Sequence, residues 1–351
     1  GRTAVWPSQI PLKGWKDIFW RLVFSFFGDR LPSVAGGIAF FLLLSIFPGI
    51  AAFVSLYGLF ADVGVVGEQL QSMRGVLPPD VLTIIGEQMT RIAGAEKGGL
   101  GLAFFGSLLV ALWSAMTGVK ALFQGLNVAY HETERRNLLK VNLTALWFTV
   151  GLFLFSGVVI GAVIVTPAVL GFWGYNSEQG VGLLRWPILL VANVAVLSVL
   201  YRYGPSRELP RWRWVTWGGV ISSFLWLAAS WGFSWYLANM ANYQATYGSL
   251  GAFMGFMVWT WLSVLVVLIG AEVNAEMEHQ TVRDTTTGAE RPLGERGAVV
   301  ADTIGPRKGV PGAQFTQAAR EELAKRAELR RSKKKLAAAK ADEGPRGDEP
   351  N

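Results

Sequence analysis

The chain has 351 residues, 52% of them hydrophobic, with 15 tryptophans, no cysteine and a net charge of +7. The lack of cysteine excludes disulfides, thiolate metal sites and a cysteine nucleophile. The apolar residues fall in blocks of roughly 20 or more with few charges, the length that crosses about 30 Å of hydrocarbon, so the class is polytopic membrane protein.

The N-terminal stretch LKGWKDIFWRLVFSFFGD sets Trp15, Ile18, Phe19, Leu22, Val23, Phe26 and Phe27 at helical spacing, with Lys13, Lys16, Asp17 and Arg21 on the other side. This predicts an amphipathic helix lying in the membrane interface; a helix packed on the ends of the bundle would carry the same pattern. The first apolar block begins near Val34 and is too long for the core of a signal peptide, so it reads as a retained span. Six spans are expected, at about 34–60, 100–119, 141–171, 183–203, 213–238 and 248–271. The second continues as a helix to about Tyr130, and the third is long enough to tilt or to break at Pro167.

Between the first two spans, Pro78, Pro79 and Asp80 form a turn and helix start, followed by a stripe of Leu82, Ile85, Met89 and Ile92. Short external helices are predicted there, either covering a mouth or packing on the helix ends. Lys and Arg mark the orientation. Arg2, Lys13, Lys16, Arg21 and Arg30 precede the first span; Lys120, Arg135, Arg136 and Lys140 follow the second; Arg202, Arg207, Arg211 and Arg213 follow the fourth. The alternate loops are poor in them, which places both termini in the cytoplasm. From about Thr281 the apolar periodicity ends, and a basic cluster at Arg330–Lys335 could meet anionic headgroups. The expected organisation is therefore an N-terminal cytoplasmic segment 1–33, a six-span domain 34–279 and a disordered basic tail 280–351.

Polar residues interrupt the spans in register. Ser33, Gly37, Phe41, Ser45, Pro48, Ala52 and Ser55 share one face of the first. Pro48 has no N–H, so the Leu44 carbonyl loses its helical partner, which is tolerable only if that face looks inward. Ser114, Thr117, Lys120, Gln124, Asn127 and His131 share a face of the second. A lysine at mid-membrane costs roughly 2.5–3.5 kcal/mol, less near the boundary where it can snorkel. The far half of that face could instead be solvated beyond the membrane. Glu272, Glu276 and His279 share a face at the end of the sixth span, and Glu272 sits at the depth of Lys120, which predicts a pair. Asn193, deep in the fourth span, is expected to bond a neighbouring helix.

The stretches AGGIAFFLLLSIFPGIAAF, LWSAMTGVKALFQGLNVAY, LLRWPILL with LYRYGPSR, and YQATYGSLGAF with GAEVNAEM together resemble the YihY/virulence factor BrkB family of bacterial inner-membrane proteins. The resemblance covers about residues 19–278. The family usually has a Tyr-Tyr pair where this chain has Phe40-Phe41, so no role for those hydroxyls carries over. The resemblance implies an all-α, six-span protein of the bacterial plasma (inner) membrane with both ends inside. An old label called members ribonuclease BN; later proposals lean towards transport, including lipid traffic.

A metal-dependent nuclease needs clustered carboxylates or histidines. This chain has two histidines, His131 and His279, near Glu132, Glu134, Glu276 and Glu278, without HxH, HExxH or DxD spacing. No enzymatic activity, metal or cofactor is expected. The reading that fits is a transporter or translocase of a lipid or other amphipathic or small solute. Its polar cavity would be lined by Ser45, Pro48, Ser114, Thr117, Lys120, Gln124, Asn127, Glu272 and Asn274. Tyr243, Thr246, Tyr247 and Ser249 would form its outer mouth. The alternative is a non-transporting envelope scaffold, in which Gly118, Gly125, Gly251 and Gly255 serve close helix approach. Expected partners are membrane lipids, an envelope protein or a second copy of the chain, and no nucleic acid.

Overall fold

The computed structural model describes residues 1–58, 102–172, 178–239 and 251–306. Their regular structure is helical, apart from one isolated bridge between Pro210 and Thr286. After a 3₁₀ turn at Pro7–Gln9 come α1 (Leu12–Gly28), α2 (Leu31–Gly58), α3 (Leu102–Ala129) and α4 (Leu138–Phe172). Then follow α5 (Glu178–Tyr203), α6 (Trp212–Asn239), α7 (Gly251–Glu278) and the short α8 (Val299–Asp302).

This is the all-α membrane architecture that the apolar blocks imply. Among the described residues, Leu108–Ala129, Leu138–Gly157, Trp212–Leu237 and Phe253–Glu278 are long and apolar enough to cross a membrane, and Leu12–Gly28 with Leu31–Ile46 meet the same test only when the bent pair is counted as one span. Pro187–Tyr203 of α5 is a shorter apolar stretch. Trp147, Leu154, Val191 and Trp231 are each more than half exposed. Such a surface is stable against acyl chains rather than water. The predicted external helices, the outer-mouth residues and the tail beyond 306 lie outside the described residues.

α1 ends where the Asp29 amide donates to the Ser25 carbonyl (2.8 Å) and Arg30 turns into the left-handed region at φ 52°. Pro32 falls in the first turn of α2, where its missing N–H costs nothing. The two helices meet at 60°. α4 is one helix of 35 residues through to Phe172, with no break at Pro167.

α7 is the central element and packs on α1, α2, α3 and α6. Its seams depend on glycine. A Cβ on Gly118 of α3 would sit 2.9 Å from the Leu42 side chain of α2, and one on Gly125 would sit 3.1 Å from Leu268. α6 and α7 approach closely enough that a Cβ on Gly270 would lie 2.9 Å from the Gly218 carbonyl oxygen. Backbones this close gain dispersion contacts that bulkier side chains would prevent.

Two expectations are corrected. The spacing placed Arg21 on the outer, polar side of α1. In the structure Arg21 is buried against α7, while Phe19, Trp20, Phe24 and Phe27 are exposed. The reason is charge: the end of α7 presents carboxylates that need a cation more than the bundle needs another phenyl ring. α1 thus packs on the bundle, as the alternative reading had it. Nor does a disordered tail begin at 280. Residues 280–306 form a folded strap in which Thr281, Asp284, Thr285, Thr286, Arg296 and Val300 are buried. The strap lacks a sequence period because a single arginine organises it. Arg296 donates to the carbonyls of Val282 (2.7 Å), Arg283 (3.1 Å), Arg291 (3.1 Å) and Ala301 (2.7 Å).

Gly118→Leu should overpack the α2–α3 seam and lower stability by about 1–3 kcal/mol. Gly151→Leu, on the exposed face of α4 with nothing within 4 Å of a Cβ, should leave it unchanged. Thermal denaturation of both variants in one detergent, followed by size exclusion, checks the contrast.

Candidate functional site

The N-terminal segment, the α3–α4 connection, the α5–α6 connection, the end of α7 and the strap after it meet at one end of the bundle. Val282 N–H donates to the Arg2 carbonyl (2.8 Å), Gly305 N–H to that of His279 (2.9 Å), and Arg135 N–H to the Ser206 hydroxyl (3.0 Å). This base holds a lattice of buried charge. The Arg21 Nε donates to Glu276 Oε2, its Nη2 to the Glu276 carbonyl (2.8 Å) and its Nη1 to Gln280 (2.9 Å) and the Pro306 carbonyl (3.1 Å). Arg207, its side chain fully buried, donates to Glu278 at 2.6 Å and lies 4.4 Å from the centre of the Tyr130 ring. The second Glu278 oxygen accepts from the Thr285 hydroxyl of the strap (2.6 Å).

The two histidines belong to this lattice. Their rings stack at 6.2 Å between centroids. His279 Nδ1 lies 3.4 Å from Glu276 Oε1, and His131 Nδ1 lies 3.8 Å from Asp29 Oδ2. His131 adopts φ 53°, which turns the chain sharply after α3 and returns its ring over the base. Beside it, burial pushes the Glu132 carboxyl up, opposed by the Val299 amide (2.6 Å) and Arg135 (3.1 Å). Hydrogen bonds from Arg136 hold the more exposed Glu134 carboxyl down at about 2. Among the described residues, no group of three or more His, Cys, Asp or Glu is arranged to hold a metal ion.

Above the base, five helices surround a cavity of about 210 Å³. Leu42 of α2, Leu122 of α3, Leu197 of α5, Trp226 of α6 and Val264 and Val267 of α7 make it chiefly apolar. Asn193, Ser222 and Ser263 add polar groups to its wall. Asn193 donates to Ser223 across α5 and α6 (3.0 Å), the interhelical bond expected of it. Trp226 Nε1 donates to Ser263 (3.0 Å).

A family model described as Virulence factor BrkB matches residues 23–293. The chain belongs to the BrkB family. A relative that bears the name ribonuclease-like protein YfkH, from Bacillus subtilis (strain 168), is 30% identical over 69% of this chain and 88% of that protein. A UPF0761 membrane protein of Tolumonas auensis is 27% identical over 78% of this chain and 89% of its own length. Another, from Alkalilimnicola ehrlichii, is 27% identical over 75% of this chain but only 59% of its own length. No solved structure matches the chain.

The fold does not bring the sequence-selected path residues to one cavity. Ser45 is buried, but its hydroxyl donates to the carbonyls of Phe41 (2.8 Å) and Leu42 (2.9 Å) of its own helix, and Pro48 beside it is half-buried. Ser114 and Thr117 likewise donate to Val110 (3.0 Å) and Trp113 (3.4 Å). Gln124 is exposed. Lys120 does not meet Glu272. It donates to Asn142 of α4 (3.2 Å) and lies 4.9 Å from the Trp113 ring. The reason is rotation: the buried face of α3 is the one with Ala121, Gly125 and Leu126, so the polar stripe turns towards α4. Asn127 and Asn274 are buried as clasps. Asn127 accepts from the Ser206 amide (2.7 Å) and donates to Glu134 (3.2 Å). Asn274 accepts from Gly218 N–H (2.8 Å) and donates to the Val215 carbonyl (3.1 Å), tying α7 to α6.

Sequence reasoning missed Arg21, Asp29 and Arg207 as members of the site and Tyr201 as a core donor. Tyr201 is fully buried and donates to the Val267 carbonyl (2.8 Å). The available signal was the carboxylate density at the end of α7, which demands cations from elsewhere in the chain.

Arg207→Ala leaves Glu278 buried without its cation and should cost about 3–5 kcal/mol. Arg291→Ala, which removes an exposed pair with Glu208, should cost less than about 1 kcal/mol. Thermal denaturation of the two variants checks the difference. A carboxyl more acidic in the folded than in the unfolded chain stabilises the fold at pH above 4.5 and loses that effect as pH falls to about 2. Glu134→Gln should therefore flatten the decline of melting temperature across that window, relative to the wild type.

Proposed function

We propose that this chain is a six-span protein of a bacterial inner membrane, with both termini in the cytoplasm, that carries a lipid or another amphipathic molecule across it. The observation that supports this reading is the cavity at the junction of α2, α3, α5, α6 and α7. A chiefly apolar wall with Asn193, Ser222 and Ser263 suits an acyl chain lying near a polar group. At about 210 Å³ it is smaller than the roughly 300–1,000 Å³ of drug-sized ligand sites, so a whole lipid requires the helices to part. The residues before α1 and those just after α7 meet at one end, which agrees with an even number of crossings between them. The Lys and Arg content of the loops at that end supports a cytoplasmic location for it.

The runner-up is an envelope scaffold that moves nothing. It draws support from the close α6–α7 approach at Gly218 and Gly270, which suits a rigid bundle. A nuclease is not proposed, although one relative is named ribonuclease-like. His279 and Glu276 are buried under Arg21 and the strap, where no polynucleotide reaches them. The proposed protein uses no cofactor; its partners are membrane lipids, with an envelope protein or a second copy under the scaffold reading.

Reconstitution of the full chain with fluorescent phospholipid, and addition of an external quencher, tests transport. The wild type should render inner-leaflet lipid quenchable, Ser263→Trp should stop this by filling the cavity, and Gly151→Leu should leave it intact. A folded wild type that moves no lipid, yet retains an envelope protein on cross-linking, would replace transport by the scaffold.

A further inference from the structure

Four arginines crowd the α5–α6 corner, and one of them, Arg207, is held by Glu278. The other three, Arg202, Arg211 and Arg213, meet no carboxylate among the described residues. Arg202 is 8% exposed, donates to the Pro210 carbonyl and lies 4.5 Å from the centre of the Trp212 ring. Its Nε is buried with no hydrogen-bond partner. Arg211 gives its Nε to the Thr286 carbonyl (2.9 Å). Arg213 lies 4.8 Å from the centre of the Trp6 ring, and its Nε too is buried without a partner. The nearby carboxylates are engaged elsewhere. Glu208, the one acid of the connection, lies 3.5 Å from Arg291, and Asp284 of the strap accepts from the Thr286 hydroxyl and the Arg291 amide. Trp212 opens α6, a helix of 28 residues, so first-turn amides and the positive end of its dipole add to the same corner.

Aromatic rings mark the depth of this corner. Trp6, Tyr203, Trp212 and Trp217 are exposed at it, and Trp231, Trp235 and Tyr236 are exposed towards the far end of α6. From Trp212 to Trp231 the helix rises about 28 Å, close to the thickness of a hydrocarbon layer, so the two groups fit the aromatic belts of its two faces. The three guanidiniums therefore stand at headgroup level without a counter-ion from the described residues. We propose that Arg202, Arg211 and Arg213 bind the phosphate of an anionic phospholipid, of the phosphatidylglycerol kind, whose acyl chains run down the exposed α6 face past Trp217 and Phe224. Lying over Trp212 and Trp6 fixes the planes of two guanidiniums and leaves N–H edges for phosphate oxygens. A zwitterionic headgroup brings its own cation and would leave the excess positive charge uncompensated; an anionic one does not. None of these arginines lines the cavity, so the site is distinct from the proposed transport and stands whether or not the chain moves lipid.

Native mass spectrometry of the purified, delipidated full chain, titrated with phosphatidylglycerol, phosphatidylcholine or inorganic phosphate, tests the site. Phosphatidylglycerol should bind about tenfold more tightly than phosphatidylcholine, or better. Arg211→Gln and Arg213→Gln should each weaken phosphatidylglycerol about fivefold. Lys140→Gln, which removes an exposed charge elsewhere at the same end, should change it less than about twofold. Equal binding of the two lipids overturns the proposal, and so does unchanged binding in folded arginine variants. An equal loss in Lys140→Gln overturns it too, since a diffuse basic surface would then suffice. Displacement of bound phosphatidylglycerol by inorganic phosphate makes the site one for a soluble anion and overturns the lipid assignment. If the arginine variants fail to fold, the wild type still decides. Phosphatidylglycerol carrying a photoreactive group beside its phosphate should label residues 202–217, and labelling confined to other peptides overturns the proposal.

Discussion

A carboxylate at the end of an apolar helix must keep its water or be met by a cation. α7 carries Glu272, Glu276 and Glu278 in its last two turns, and all three are buried. Two are met by arginines that arrive from far along the chain, Arg21 and Arg207. Taking such charges out of water costs several kcal/mol per ion, and the cost is offset only when the partner's geometry is good and its remaining donors are filled. Docking of α1 and of the α5–α6 connection is therefore a condition for α7 to end where it does. The strap follows from the same need. Thr285 completes the shell of Glu278, and the Pro306 carbonyl completes that of Arg21.

The middle of the bundle obeys a different constraint. Hydroxyls in hydrocarbon need an acceptor, and on a helix the nearest is a carbonyl one turn back. Ser45, Ser114, Thr117, Thr149, Ser198, Thr216 and Thr260 all take it. Each is satisfied within its own helix, so a stripe of Ser and Thr does not by itself demand water. This is why the hydrated path read from the stripes is absent from those positions. The cavity lies instead where Leu, Val and Trp side chains meet around Asn193, Ser222 and Ser263.

Charge and cavity are thus separated along the bundle. The base is polar, interlocked and covered by the N-terminal segment and the strap; the cavity above it is chiefly apolar and bounded by helices that meet through small residues. α7 is common to both, contributing Glu272 and Glu276 below and Ser263, Val264 and Val267 above. A change of charge at the base and a change of volume in the cavity would act on the same helix.

The amino-acid sequence by itself determined the membrane class, the positions of the long helices and the grouping of basic loops, because run length and composition are local properties. It also marked Asn193 as an interhelical donor and the end of α7 as unusually acidic. Only the tertiary structure decided that Lys120 turns to Asn142 and that Arg21 faces inward to Glu276 while Phe19 faces out. Helical periodicity specifies which residues share a face. The rotation of that face, and the depth of one helix against another, are set by how glycine seams such as Gly118–Leu42 close and by which cation each buried carboxylate captures.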